Sequence, residues 1–403
     1  MIGIREIEEA RARIDEYVVT TPCARSEWFG QLTGTKTFFK LENLQMTGSF
    51  KERGALNKIL TLTAVERERG VIAASAGNHA QGVAFHAGRL GIPATIVMPD
   101  RTPLIKVANT RSFGAKVVLS GGNFDEAYAE ARRLQEQHGY TFVHPFDDDM
   151  VIAGQGTIGL ELLEQNPYLE CVIVPIGGGG LISGIATAIK EVNPRIRVVG
   201  VQTEALPSMK ASVEAGEPVT VPPGRTIADG IAVKRPGEHT LAYVRKYVDE
   251  IVTVTEEEIA NAILLLLERE KTVAEGAGAA AVAALINGHV PAARGKKTAV
   301  IVSGGNIDVN LIARVIEKGL VKDGRLVRLA IQIEDRPGNL ARLLGLVAEY
   351  SANVMEIHHD RAFGKSGFGD TEVELTLECR GREHIEDLKV GLERGGYRVT
   401  EVS

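Results

Sequence analysis

Five short clusters carry the residue types that chemistry needs. In TGSFKERGA, residues 47–55, Lys51 stands between Phe50 and Glu52. Alone it reads as a solvated tether, but a lysine amine is also a nucleophile toward carbonyl groups. In VIVPIGGGGLISG, residues 172–184, the run Gly177, Gly178, Gly179 and Gly180 precedes Leu181. Such a run costs backbone entropy, and what it offers is close approach of backbone to a ligand. At a helix start its N–H groups can cradle a phosphate without any lysine; a tight strand-to-helix crossover is the plainer alternative. The run is neither a Walker loop, since no GK[ST] follows, nor the GxGxxG fingerprint. No acidic ribose partner follows it, so the phosphate need not belong to a nucleotide.

SAGNHAQG, residues 75–82, follows a strand pattern and opens a helical one. Its small residues expose N–H groups at a helix start, which suits a substrate carboxylate as well as an ordinary turn. Asn78 and His79 add planar side-chain donors. A lysine amine and an anion cradle with no nucleotide signature together suggest pyridoxal phosphate, held by Lys51 as a Schiff base. Ser303, ending the strand pattern in VIVSGGN, can then face the ring nitrogen. Glu275, in TVAEGAGAAA, reads as a cofactor neighbour or as a capping carboxylate. Phe50 reads as a ring contact or as a core anchor.

The elements that position these clusters are legible. Apolar runs at residues 70–77, 93–99, 115–120, 140–145, 171–177, 197–202 and 298–305 alternate with helical patterns at 80–91, 123–139 and 181–194. This alternation predicts an α/β protein with mainly parallel sheets covered by helices. The tail differs. Strand 326–333, a helix opening at DRPGNL with Asp335 as cap and Pro337 at its start, strand 353–361, strand 371–379, helix 383–393 and strand 396–402 spell β-α-β-β-α-β. The charged EKGLVKDGR before it places a domain boundary near residue 322.

With 403 residues, 46 Lys+Arg against 52 Asp+Glu and a net charge of −6, the chain has no basic surface suited to nucleic acid. Its first residues lack an apolar signal segment, and AILLLLERE is too short to span a bilayer, so a cytoplasmic protein with no membrane partner is expected. Cys23, Cys171 and Cys379 are too scattered for a disulfide framework or a zinc site, and no metal is expected.

The chain resembles the fold type II pyridoxal-phosphate enzymes, and among them the threonine dehydratases, or threonine ammonia-lyases. ENLQMTGSFKERGA is similar to their lysine motif, SAGNHAQGVA to their substrate-carboxylate loop and PIGGGGL to their phosphate cup. RTIADGIAV and VSGGNID follow in the family's order, so the likeness covers residues from about 10 to 320. The resemblance implies a small domain, about 54–150, inserted in a larger one, with the cofactor between them. It implies that Lys51 carries the cofactor and serves as the base. Phe50, Asn78, Gly177, Gly178, Gly179, Gly180, Leu181, Glu275 and Ser303 would contact the cofactor. Ser75, Ala76, Gly77, Asn78 and His79 would hold the substrate. Threonine would give 2-oxobutyrate and ammonia, and serine would give pyruvate.

Serine racemases are the nearest alternative. They resemble this family but carry a second serine where this chain has Ala76, and metal-binding acids where it has Gln202 and Ser208. Threonine synthase and a non-catalytic amino-acid sensor are further alternatives. The tail resembles an ACT domain, which implies an isoleucine or valine effector near Asp335, Arg336, Pro337, Gly338, Asn339 and Leu340, or a purely structural pairing module. A homodimer or homotetramer is expected.

Overall fold

The structure is a computed structural model describing residues 1–360 and 369–402. The chain forms two compact units, Met1–Ile307 and Asp308–Ser403.

In the first unit a six-stranded sheet runs in the order Cys23–Ser26, Lys36–Leu41, Lys297–Val302, Cys171–Pro175, Arg197–Thr203, Glu250–Val254. Every neighbouring pair is parallel except the first. A second sheet of parallel strands has the order Lys116–Leu119, Ala94–Met98, Val71–Ala74, Thr141–Phe142. Val71–Ala74, Ala94–Met98 and Cys171–Pro175 are buried along their whole length. Helices on both faces leave no polar side to such strands, which is why they read as unbroken apolar runs. This is the expected α/β, mainly parallel architecture, and each of the seven anticipated runs contains a strand.

Helix Asp149–Gln165 ties the unit together. Asp148 caps it, accepting from the N–H groups of Met150 at 2.8 Å and Val151 at 3.2 Å. On one side it meets helix Lys51–Leu60, where a Cβ added to Gly154 would lie 2.6 Å from the Arg53 carbonyl oxygen. On the other it meets helix Gly180–Val192, where a Cβ on Gly184 would lie 2.5 Å from the Gly156 nitrogen. Backbone packs on backbone at both contacts. The lysine cluster and the glycine run are therefore spaced by one shared helix with no side-chain cushion between.

The second unit has an antiparallel four-stranded sheet in the order Asn353–Asp360, Asp370–Glu378, Leu326–Glu334, Arg398–Glu401. Helices Asn339–Glu349 and Arg382–Arg394 pack on it around Leu329, Ile331, Leu343, Leu375 and Leu388. The β-α-β-β-α-β pattern is the expected one, with two differences. The units divide at Ile307/Asp308 instead of near residue 322, because helix Val309–Lys322 groups with the sheet that follows it. The expected helix start at Pro337 with an Asp335 cap is also replaced: Gly338, with φ +92°, is the cap, and the helix begins at Asn339. A turn closed by the Asn339 N–H on the Arg336 carbonyl occupies the residues between, so proline and aspartate lie ahead of the first helical turn. Residue 361 and the glycine-rich stretch after it lie outside the described residues.

Candidate active site

Lys51 is the first residue of helix Lys51–Leu60 and follows Phe50 at its cap. Its Nζ donates to the Pro145 carbonyl at 2.6 Å and stands 5.2 Å from the centre of the Phe50 ring. Burial pulls the amine down to about 8, against the nearby charge of Glu275, which favours the ammonium. A useful fraction of neutral amine is thus present near neutral pH, as a nucleophile or base requires.

The Lys51 loop is sewn to the end of strand Lys297–Val302. Ser49 forms a bridge with Gly304, and the Phe50 N–H donates to the Ser303 carbonyl at 3.1 Å. Ser303, almost fully buried, is thereby brought beside the lysine loop. Gly304 in turn accepts from the Glu275 N–H at 3.0 Å. Glu275 stands at the cap of helix Gly276–Ile286, yet its carboxylate makes no cap bond. It accepts instead from Asn78 Nδ2 at 2.7 Å, across the two sheets. Burial raises this carboxyl to about 7, the Asn78 donor opposing.

Asn78 opens helix Asn78–Arg89 behind Gly77, where an added Cβ would meet nothing within 4 Å. Ser75 Oγ accepts from the Gly77 N–H at 3.2 Å and fixes the turn. Ala76 packs on the apolar cluster of the small sheet. His79 departs from expectation. Its Nε2 contacts the Val143 carbonyl at 2.8 Å, and burial with Lys51 nearby lowers the ring to about 3. A carbonyl only accepts, so the neutral ring's one N–H is used there, and the unpartnered Nδ1 is an acceptor. The imidazole offers no donor to a carboxylate; at this position only backbone does.

The glycine run links strand Cys171–Pro175 to helix Gly180–Val192, with Gly179 at φ +96°. An added Cβ at Gly177 would lie 3.0 Å from Ile231 Cα, at Gly179 2.6 Å from Met209 Cε, and at Gly180 2.9 Å from Phe146 Cα. The Phe146 ring covers Gly178. Only hydrogen fits at these positions, so bare backbone is presented, and the first N–H groups of the helix have no partner within it. Leu181 sends its side chain into the core and contributes only backbone. The chain thus offers bare N–H groups at a helix start, linked through Pro145 and Phe146 to a neutralisable lysine, and pyridoxal phosphate fits both.

The sequence reading missed the strap that joins these parts. Residues 144–147 supply the Pro145 carbonyl to Lys51 and the Phe146 ring to Gly178. Asp147 accepts from the Thr240 N–H at 3.0 Å, and Thr240 Oγ1 donates to the Gly178 carbonyl at 2.7 Å. The signal available was HPFDDD, an aromatic between a strand end and three carboxylates.

Behind the lysine helix lies a charged core that was also missed. Arg53 is fully buried, donating to Glu42 through Nε and Nη2, both at 2.8 Å, and to Glu161 through Nη1 at 2.5 Å. Lys40, equally buried, donates to Glu161 at 2.5 Å and to the Thr21 carbonyl at 2.6 Å. Burial pushes the Glu42 carboxyl up, but Arg53 beside it more than reverses this and holds it below the usual range. Two cations and two anions balance, two residues from Lys51. Glu52 faces the other way, accepting from Thr47 N–H at 2.8 Å and Thr47 Oγ1 at 2.7 Å.

A half-buried lysine and a bare glycine run, joined through residues 145 and 146 on a mainly parallel α/β scaffold, suit a cofactor-dependent enzyme. Residues 14–304 match the family described as pyridoxal-phosphate dependent enzyme. The chain is 54% identical over 399 residues to an L-threonine ammonia-lyase of Thermotoga maritima, covering 99% of both chains. It is 52% identical over 399 residues to one of Geobacter sulfurreducens, again covering 99% of both. Among solved structures, maize serine racemase superposes with a TM-score of 0.75 at 38% identity, over 79% of this chain and 98% of that one. A threonine deaminase from T.th. gives 0.72 at 43% identity, over 76% of this chain and 99% of that one. The chain belongs to the pyridoxal-phosphate-dependent enzymes of fold type II.

Proposed function

We propose that the protein is an L-threonine ammonia-lyase that converts L-threonine to 2-oxobutyrate and ammonia, with side activity on L-serine giving pyruvate. The observation that carries this reading is the 54% identity over 99% of the chain to a relative of that name. The site residues described above agree with it. Bound pyridoxal phosphate supplies an electron sink for the pair released at the substrate α-carbon. Lys51 would hold the cofactor through its amine and serve as the base for the α-proton. N–H groups at Gly177–Leu181 would hold the phosphate, Asn78 would donate to the ring oxygen, Ser303 would meet the ring nitrogen, and Phe50 and Glu275 would flank the site. Ser75 and backbone from Ala76 to His79 hold the substrate carboxylate. Water is lost from the substrate and regained on hydrolysis, so there is no net oxidation.

The overall fold is shared with a racemase, so discrimination rests on particular side chains. Racemisation needs a proton-bearing group on the opposite face of the α-carbon, and Ala76 has none. Gln202 is buried and committed, accepting from the Lys210 N–H at 2.9 Å, while Ser208 Oγ donates to the Val233 carbonyl at 2.6 Å.

The second unit is proposed as an ACT-like regulatory domain that binds isoleucine or valine through residues 335–340, where backbone leads into helix Asn339–Glu349. Its edge strand Asn353–Asp360, with Met355 and Ile357 exposed, supports pairing with a second copy in a cytoplasmic homodimer or homotetramer.

The test is turnover. The unaltered protein with pyridoxal phosphate should release 2-oxobutyrate from threonine, and Lys51→Ala should abolish release along with the cofactor's lysine-bound visible band. Retention of more than a few per cent of turnover by that variant would sink the assignment.

A further inference from the structure

We propose that Asn306 is a positioning residue that fixes which face of the Asn78 amide is shown to the cofactor. This rests on the reading of the site as a pyridoxal-phosphate site. Asn306 Nδ2 lies 2.7 Å from the Thr47 carbonyl oxygen and 2.8 Å from Asn78 Oδ1. Asn78 Nδ2 lies 2.7 Å from Glu275 Oε1.

The direction of this chain follows from its ends. A backbone carbonyl can only accept, so the Asn306 atom facing Thr47 must be its NH2 group. The second hydrogen of that group then points at Asn78, whose facing atom must be the carbonyl oxygen. The amide of Asn78 is thereby set with its NH2 turned toward Glu275 and the cleft. One of its hydrogens meets the carboxylate, and the other remains for a ligand. Without Asn306 the direction rests on Glu275 alone, whose carboxyl, once protonated, can donate as well as accept, so the amide could turn over and present an acceptor where a ring oxygen needs a donor. Isolated amides have no such preference, because their two ends are nearly isosteric.

Gly48 makes the arrangement possible. With φ +74° it needs glycine, and a Cβ there would sit 2.5 Å from Asn306 Oδ1. The Gly305 N–H donates to the Gly48 carbonyl at 2.9 Å, so the two loops are already joined where Asn306 crosses. Thr47 is itself held by Glu52 through both its N–H and its hydroxyl, which gives the anchoring carbonyl a fixed place. The relay thus begins on the residue that follows Lys51 and ends on Asn78 and Glu275.

The experiment is a double-mutant cycle on the full chain, read by titration with pyridoxal phosphate. Asn306→Ala should weaken cofactor retention by roughly three- to tenfold, the scale of one lost neutral hydrogen bond. It should also move the pH midpoint of the bound cofactor's visible band. Asn306→Asp should do more, since a carboxylate beside Asn78 demands the NH2 face and turns the amide over. In an Asn78→Ala background, Asn306→Ala should add little, because the effect runs through the amide that is gone. An equal loss in both backgrounds would overturn the proposal, as would an unshifted band and unchanged affinity in Asn306→Ala. No visible band in the unaltered protein would overturn the cofactor site itself, and this inference with it.

Discussion

At the scale of single residues, the site works by holding ionisable groups near the point of charge change. Glu275 gives a direct test through stability. Its carboxyl sits near 7 in the folded chain against 4.5 in an exposed one. A folded-state value raised in this way means that the folded protein binds the proton more tightly than the unfolded one. Stability from this group is therefore full below about 4.5, falls as pH rises toward 7, and stays reduced above it. Glu275→Gln keeps an oxygen for Asn78 but cannot ionise. The melting temperature of the cofactor-free variant should gain on the unaltered protein between pH 4.5 and about 7, then run parallel to it; a gap that does not change with pH would contradict the assignment. Of the residues involved, Lys51 and the four glycines were legible because their signals are local. The Asn306–Asn78 contact joins positions 228 apart and the Asn78–Glu275 contact 197 apart, so no window along the sequence contains either pair. The partner of the His79 ring was not legible, because residue type fixes the available atoms and leaves their partners open.

At the scale of elements, the backbone contacts of helix Asp149–Gln165 decide how the lysine and the cradle are spaced. Gly184→Ala would drive a methyl group into Gly156, and backbone on both sides leaves nothing to rotate away. Overpacking of this kind costs about 1–3 kcal/mol. Gly345→Ala is the counterpart: it lies exposed within helix Asn339–Glu349, with nothing within 4 Å of the new Cβ, and should stabilise the second unit by about 0.5–1 kcal/mol. Urea unfolding of both variants, followed by probes in each unit, checks the pair; equal effects would mean that the close approach at Gly184 is not what matters. The buried strands were legible because helices cover both their faces. Strand Lys36–Leu41 was not, because Lys40 interrupts its apolar pattern, and a lysine is ordinarily read as facing water. Its partner Glu161 lies 121 positions away.

At the scale of the whole molecule, the division at Ile307/Asp308 places every residue proposed to meet cofactor or substrate in the first unit. A chain ending at Ile307 should fold, take up pyridoxal phosphate and cleave threonine, but lose any response to isoleucine or valine. Assays of 2-oxobutyrate release with and without each amino acid decide this, and a response preserved in the shortened chain would move the effector site into the catalytic unit. The tail's alternation of strand and helix was legible, while its boundary was not, since helix Val309–Lys322 joins the following sheet by packing that a charged linker does not announce. The Lys40–Glu42–Arg53–Glu161 core has one more consequence. Removing such charges from water is expensive at ordinary temperature, so the cluster is a poor source of stability there. That expense shrinks on heating, because hydration of ions becomes less favourable, whereas apolar burial levels off. As the protein warms, the turn bearing Lys51 leans increasingly on charges that lose less by being dry, and its geometry should be among the last features of the site to blur.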